Sequence, residues 1–184
     1  MDSSNQLTMM VYASLFAALT AVGAFLAIPI GPVPIVLQNM FVYLAGLLLG
    51  SHWGLASVGV YLLAGACGLP VFAGGLGGIG RFIGPTGGYL IGYLPTVFFI
   101  GKISQRARPS MVSDLLAMIC GTLVLYACGV SWLKIITAMP PAKALALGMY
   151  PFLIGDALKI AAAAAIAKAL RPVIRVAGSE IKDI

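Results

Sequence analysis

Pro151-Phe-Leu-Ile-Gly-Asp156-Ala-Leu-Lys159-Ile-Ala-Ala-Ala-Ala-Ala-Ile-Ala-Lys168-Ala-Leu170 is an apolar stretch with a carboxylate and an ammonium set into its first half and a second lysine near its end. About 20 apolar residues in helical form cross a hydrocarbon core of about 30 Å, so the stretch has the length of one transmembrane helix. Asp156 and Lys159 stand three residues apart and therefore share one helix face. Each charge costs about 2.5–3.5 kcal/mol at the centre of a span, which marks the pair as functional or as mutually neutralising. Pro151 suits the first turn of a helix, so Asp156 lies less than two turns from the end at which that helix starts. A polar ligand entering from that end can reach it; an internal salt bridge that pins the helix is the other reading.

The rest of the chain agrees with a membrane solvent. Its 184 residues are 61% hydrophobic and 9% charged, against roughly a quarter charged in soluble domains. Mean hydropathy is +1.05. Polar or Pro/Gly breaks divide the chain into six apolar segments, at about residues 7–28, 35–50, 54–68, 87–104, 111–129 and 145–170. The expected fold is a single all-α domain over 1–184 with six transmembrane helices. Segments two and three are short for the core, which points to a thinned bilayer or to irregular backbone there. The residues before the first span contain Asp2 and no Lys or Arg, so that span reads as a retained helix and not as a cleavable signal. Lys102, Arg106, Arg108, Lys168, Arg171, Arg175 and Lys182 fall on one side of such a fold, against Arg81, Lys134 and Lys143 on the other. Basic residues on short loops stay in the cytoplasm, so both termini are expected there, with the pocket near the extracellular face. The net charge of +6 thus reflects orientation, and no basic patch with interleaved aromatics suggests nucleic acid.

Between segments three and four runs Ala73-Gly-Gly-Leu-Gly-Gly-Ile-Gly-Arg-Phe-Ile-Gly-Pro-Thr-Gly-Gly-Tyr89. Its formal G-x-G-x-x-G lacks the preceding strand and the later acidic residue that a dinucleotide site needs. Glycines instead let backbone approach a ligand closely, and the run reads as a gripping loop or lid, or else as an outer linker. Arg81, its sole charge, suits a carboxylate or a solvated surface equally. Gln38 and Asn39 open segment two with amides that suit a neutral polar ligand or a helix contact. Ala13, Ala17 and Ala21 form a smooth strip for close helix approach. Asp114 reads as a favourable charge at a helix start, and His52 as a solvated turn residue. Cys67, Cys120 and Cys128 have no metal or disulfide spacing. No nucleophile–base set, carboxylate pair, metal cluster or phosphate-binding P-loop is present, which argues against an enzyme and places any ATP hydrolysis in another chain.

Taken together, Pro32-Val-Pro-Ile-Val-Leu-Gln-Asn39, Gly65-Ala-Cys-Gly-Leu-Pro-Val-Phe-Ala-Gly-Gly75, Gly84-Pro-Thr-Gly-Gly-Tyr-Leu-Ile-Gly92 and Gly155-Asp-Ala-Leu-Lys159 resemble the BioY family, the biotin-specific substrate-capture (S) components of energy-coupling factor (ECF) transporters. The resemblance runs from segment one to segment six. It implies a pocket closed by the loops between helices one and two and between three and four, biotin as transported ligand, and no cofactor. It implies a bacterial cytoplasmic membrane, a membrane-embedded coupling subunit and two cytoplasmic ATPases as partners. On that likeness Asp156 and Lys159 contact the ligand, Gln38 and the Gly74-Gly75 turn lie near it, and Phe72, Tyr89 and Tyr150 supply apolar walls. Ala13, Ala17 and Ala21 fall where the family's partner-facing strip belongs. The family often has a polar or basic residue within Gly-Gly-x-Gly-Gly where this chain has Leu76, which leaves the carboxylate either to Arg81 from across the loop or to water. An autonomous biotin carrier and a membrane scaffold with a purely structural ion pair are the competing readings.

Overall fold

The computed structural model describes residues 3–29, 31–108 and 110–179. Asp2 and Lys182, used above to read the N-terminus and the orientation, lie outside them, as does the side chain of Arg175. Helix α1 (Ser3–Phe25) leads into a minimal antiparallel hairpin, β1 (Ala27–Ile28) with β2 (Ile35–Val36), that pairs Ala27 with Val36 and Ile28 with Ile35. Pro29, Pro32 and Pro34 forbid a helix here and leave only this short ladder. Helix α2 (Gln38–Ala66), a one-turn helix α3 (Gly80–Ile83), α4 (Gly87–Arg106) and α5 (Met111–Thr137) follow. The chain ends with a short α6 (Pro141–Gly148), a 3-10 turn (Tyr150–Phe152) and α7 (Leu153–Ser179).

Helix α2 is broken at Gly50, whose φ of 78° and ψ of −172° leave the helical region. A methyl on Gly54 would sit 3.4 Å from the Ala45 carbonyl. In a continuous helix these two positions would be about 13 Å apart, so the arms 38–49 and 51–66 fold back on one another. The segments expected at 35–50 and 54–68 are these two arms, and the irregular backbone between them is Gly50. Gly101 of α4 touches the break, since a Cβ there would strike the backbone of Gly50 and Ser51. Ser104 Oγ donates to the Leu47 carbonyl (3.1 Å) and Ser51 Oγ to Gln105 Oε1 (2.9 Å), tying α4 to both sides of it.

Two other boundaries move. The segment expected at 145–170 is α6, the turn and α7, because Pro141 starts a separate helix and Gly148 and Pro151 interrupt it. Helix α5 continues past Gly129 to Thr137 and stops at Ala138 in the left-handed region, with Lys134 in its last turn. The small-residue strip on α1, expected to face a partner, lies largely inside this chain. Ala13 and Ala17 are 5% and 6% exposed and Ala21 is half-buried, within the protein's own core. Helix α1 packs chiefly on α2, and these small side chains permit that approach. The face of α1 with Val11, Leu15 and Val22 is the exposed one.

The molecule is an all-α membrane protein: α1, the two arms of α2, α4, α5 and α7 make six rods. Asn5–Phe25 and Met111–Thr137 are each apolar and long enough to cross a bilayer by composition alone, and the two arms of α2 are equally apolar. Helix α7 carries Asp156, Lys159, Lys168 and Arg171, which lower its hydropathy. Arg171 forms a two-pronged ion pair with the buried Asp114, Nη1 to Oδ2 at 2.9 Å and Nη2 to Oδ1 at 2.6 Å. Asp114 is thus a partner of α7 as well as a first-turn charge on α5.

Candidate ligand-binding site

The hairpin, the glycine-rich connection and the starts of α2, α4 and α7 surround a cavity of about 370 Å³, within the usual ligand-pocket range of about 300–1,000 Å³. Asp156 and Lys159 enter from the first two turns of α7, and both are buried. Asn39, in the first turn of α2, stands between them. Its Nδ2 donates to Asp156 Oδ1 at 2.7 Å and its Oδ1 accepts from Lys159 Nζ at 3.2 Å. Lys159 Nζ also donates to Asp156 Oδ1 at 2.9 Å. From α5, the Tyr126 hydroxyl donates to Asp156 Oδ2 at 2.5 Å.

The remaining hydrogen-bonding capacity follows from this arrangement. A carboxylate offers about four acceptor positions and three are taken, so one stays open on Oδ2. An ammonium has three donors, of which Asn39 and Asp156 use two. The ion pair is therefore satisfied without a ligand yet presents one acceptor and one donor side by side. Gln38, buried at the cavity wall, adds an Nε2 without a partner among the described residues. Such an unpaired buried amide costs about 1–3 kcal/mol, which a ligand acceptor would recover.

The other walls are apolar. Phe72 is buried edge-on against Tyr61 and Phe82, with ring centroids 5.5 and 5.6 Å apart. Tyr89 lies over Gly129, where any Cβ would clash, and its hydroxyl donates to the Gly148 carbonyl at 2.6 Å. The sequence-expected residues Gln38, Phe72, Gly74, Arg81, Tyr89, Asp156 and Lys159 all line the cavity. Gly75 does not; it turns the backbone just behind the lining, with φ 71° and its N–H on the Phe72 carbonyl at 3.0 Å. Tyr150 is not a wall: its side chain is 55% exposed because the 3-10 turn points Phe152 inward in its place. Arg81 reaches the cavity from α3 without any acceptor among the described residues. With Asp156 and Lys159 cancelling, the lining carries one uncompensated positive charge.

Asn39 as the bridge was foreshadowed only as a polar residue beside Gln38. Tyr126, Tyr93, Leu125 and Phe152 also line the cavity and carried no signal, since an aromatic or Leu inside a span reads as ordinary packing.

A profile of the BioY family matches residues 1–176. The chain belongs to the BioY family. A probable biotin transporter BioY from Pyrococcus horikoshii is 43% identical over 158 residues, covering 86% of this chain and 93% of that protein. The biotin transporter BioY from Thermotoga maritima is 40% identical over 162 residues, 88% of this chain and 95% of that one. A crystal structure of the S-component for biotin from an ECF-type ABC transporter superposes with a TM-score of 0.87 at 34% identity, over 94% of this chain and 95% of that one. The BioY match includes every element that lines the cavity.

Proposed function

We propose that this chain binds biotin with high affinity in the cavity and carries it across the cytoplasmic membrane as the S component of an ECF transporter. It is a transport protein and not an enzyme. The observation that carries the reading is the paired donor and acceptor at Lys159 and Asp156, held by Asn39 and Tyr126 in an otherwise apolar cavity. The ureido ring of biotin is the complement: an N–H for Asp156 Oδ2 and a carbonyl for the free donor of Lys159, with Gln38 Nε2 as a further donor. Its apolar bicycle suits Phe72 and Tyr89, and its carboxylate suits the unpaired guanidinium of Arg81. Gly74 lets the loop backbone approach the ligand, with φ 77°.

The cavity lies at the starts of α4 and α7, whereas Arg106, Arg108 and Arg171 lie toward the opposite end. With basic residues on the cytoplasmic side, both termini are cytoplasmic and the cavity opens outward. On this reading a membrane coupling subunit and two cytoplasmic ATPases supply the energy for uphill uptake, consistent with a sequence that has no phosphate-binding loop of its own.

Equilibrium binding of labelled biotin to the purified chain tests the ligand, and no binding by the intact chain overturns the reading. Binding that survives Asp156→Asn combined with Lys159→Ala overturns the site. Purification of the tagged chain from its native membrane tests the partners: ATPase subunits co-purify if the ECF reading holds, and their absence favours an autonomous carrier.

A further inference from the structure

The two connections that cover the cavity are unlike loops that face water. Residues 27–37 contain no charged or hydrogen-bonding side chain, and residues 68–86 contain only Arg81 and Thr86. The opposite end, from the last turn of α4 to the start of α5, Ser104-Gln-Arg-Ala-Arg-Pro-Ser110, is polar at five of its seven positions. The side chains of α3 and its flank are sorted by direction. Arg81 lines the cavity, Phe82 lies edge-on to Phe72, and Ile79 and Ile83, four residues apart, are 67% and 62% exposed. Ile28 and Leu69 on the same two connections are likewise exposed, as is Leu26 just before the first. The adjoining helix ends carry the same kind of surface, with Phe25 closing α1, Ile91 in the second turn of α4 and Ile154 in the first turn of α7 all exposed. The apolar covers thus continue the exposed apolar surface of the helices they join.

We propose that both covers are seated in the interfacial layer of the bilayer, with Ile79 and Ile83 at the acyl boundary, so that lipid holds the α3 turn down over the cavity. The arrangement is that of an interfacial amphipathic segment, in which apolar side chains gain from leaving water while a basic residue turns to a polar partner. Here the partner lies inside the protein, because Arg81 points into the cavity. Opening the lid would then draw isoleucine side chains out of lipid, and the membrane itself would slow the release of ligand.

Nitroxide labels at Ile79→Cys and Ile83→Cys, in a chain whose Cys67, Cys120 and Cys128 are Ser, test the placement in phosphatidylcholine–phosphatidylglycerol nanodiscs. The expected result is more collision with oxygen than with a water-soluble nickel chelate, and the reverse for a label at Arg108→Cys. Nickel-dominated collision at 79 and 83 would mean water, and exclusion of both reagents would mean a protein cover such as a second copy; either overturns the proposal. The double variant Ile79→Ser with Ile83→Ser should release biotin from nanodiscs about tenfold faster, and an unchanged rate overturns the lid function. Only this second arm rests on the biotin reading, since the labels report without ligand.

Discussion

Asp156 accepts hydrogen bonds from three different residues, and what each would cost if lost differs. Asp156→Asn keeps the shape but leaves Lys159 as an uncompensated buried charge, for which breaking such a pair costs about 3–5 kcal/mol. Biotin affinity should fall by at least 100-fold on the order-of-magnitude scale, read by titration calorimetry. Tyr126→Phe removes one hydrogen bond to a buried carboxylate and should weaken biotin by about tenfold and also lower the melting temperature, since such bonds contribute about 1.5–3 kcal/mol. An unchanged Kd for Tyr126→Phe would mean that the hydroxyl only fills space. The ion pair was readable because two charges in an apolar stretch have no cheap explanation. Asn39 was half readable, since its amide fits a helix contact as well as a ligand. Tyr126 was not readable: only folding sets it opposite Asp156, 30 residues away.

At the scale of elements, the break in α2 is held by geometry that a side chain would spoil. Gly50→Ala places a methyl at positive φ and against the Gln105 side chain, and should destabilise the fold by about 1–3 kcal/mol, seen as a lower melting temperature in detergent. The Asp114–Arg171 clasp lies 15 residues along α7 from Asp156, or about 22 Å. Asp114→Ala should therefore lower the melting temperature while leaving the biotin Kd within about twofold, because sites this far apart act additively. A large loss of affinity would show that the two ends of α7 are coupled. Hydropathy located the rods well but not their ends. Helix α5 runs through Ser131 and Lys134 because a helix near the bilayer edge tolerates polar residues, and the Ala13–Ala17 strip is self-contact because a small-residue pattern does not say which helix will use it.

For the whole molecule, the charge distribution makes a prediction about ligand choice. The lining holds Asp156, Lys159 and Arg81, a net single positive charge that complements a monoanion. Biotin should bind the wild type about tenfold more tightly than its neutral amide. Arg81→Gln should erase most of that difference while retaining binding of both, as measured by competition against labelled biotin. An undiminished preference would assign the carboxylate to another group. The hydrogen bond between Asn39 and Asp156 in the site joins residues 117 positions apart. During synthesis the α2 end of the pocket therefore enters the membrane long before α7 exists. When α7 arrives, Asp156 and Lys159 meet a waiting amide, which lowers the energy of admitting them to the bilayer. Retention of biotin is thus also a report that the last helix has been inserted and docked, and a chain released early by the ribosome would be silent in the same assay.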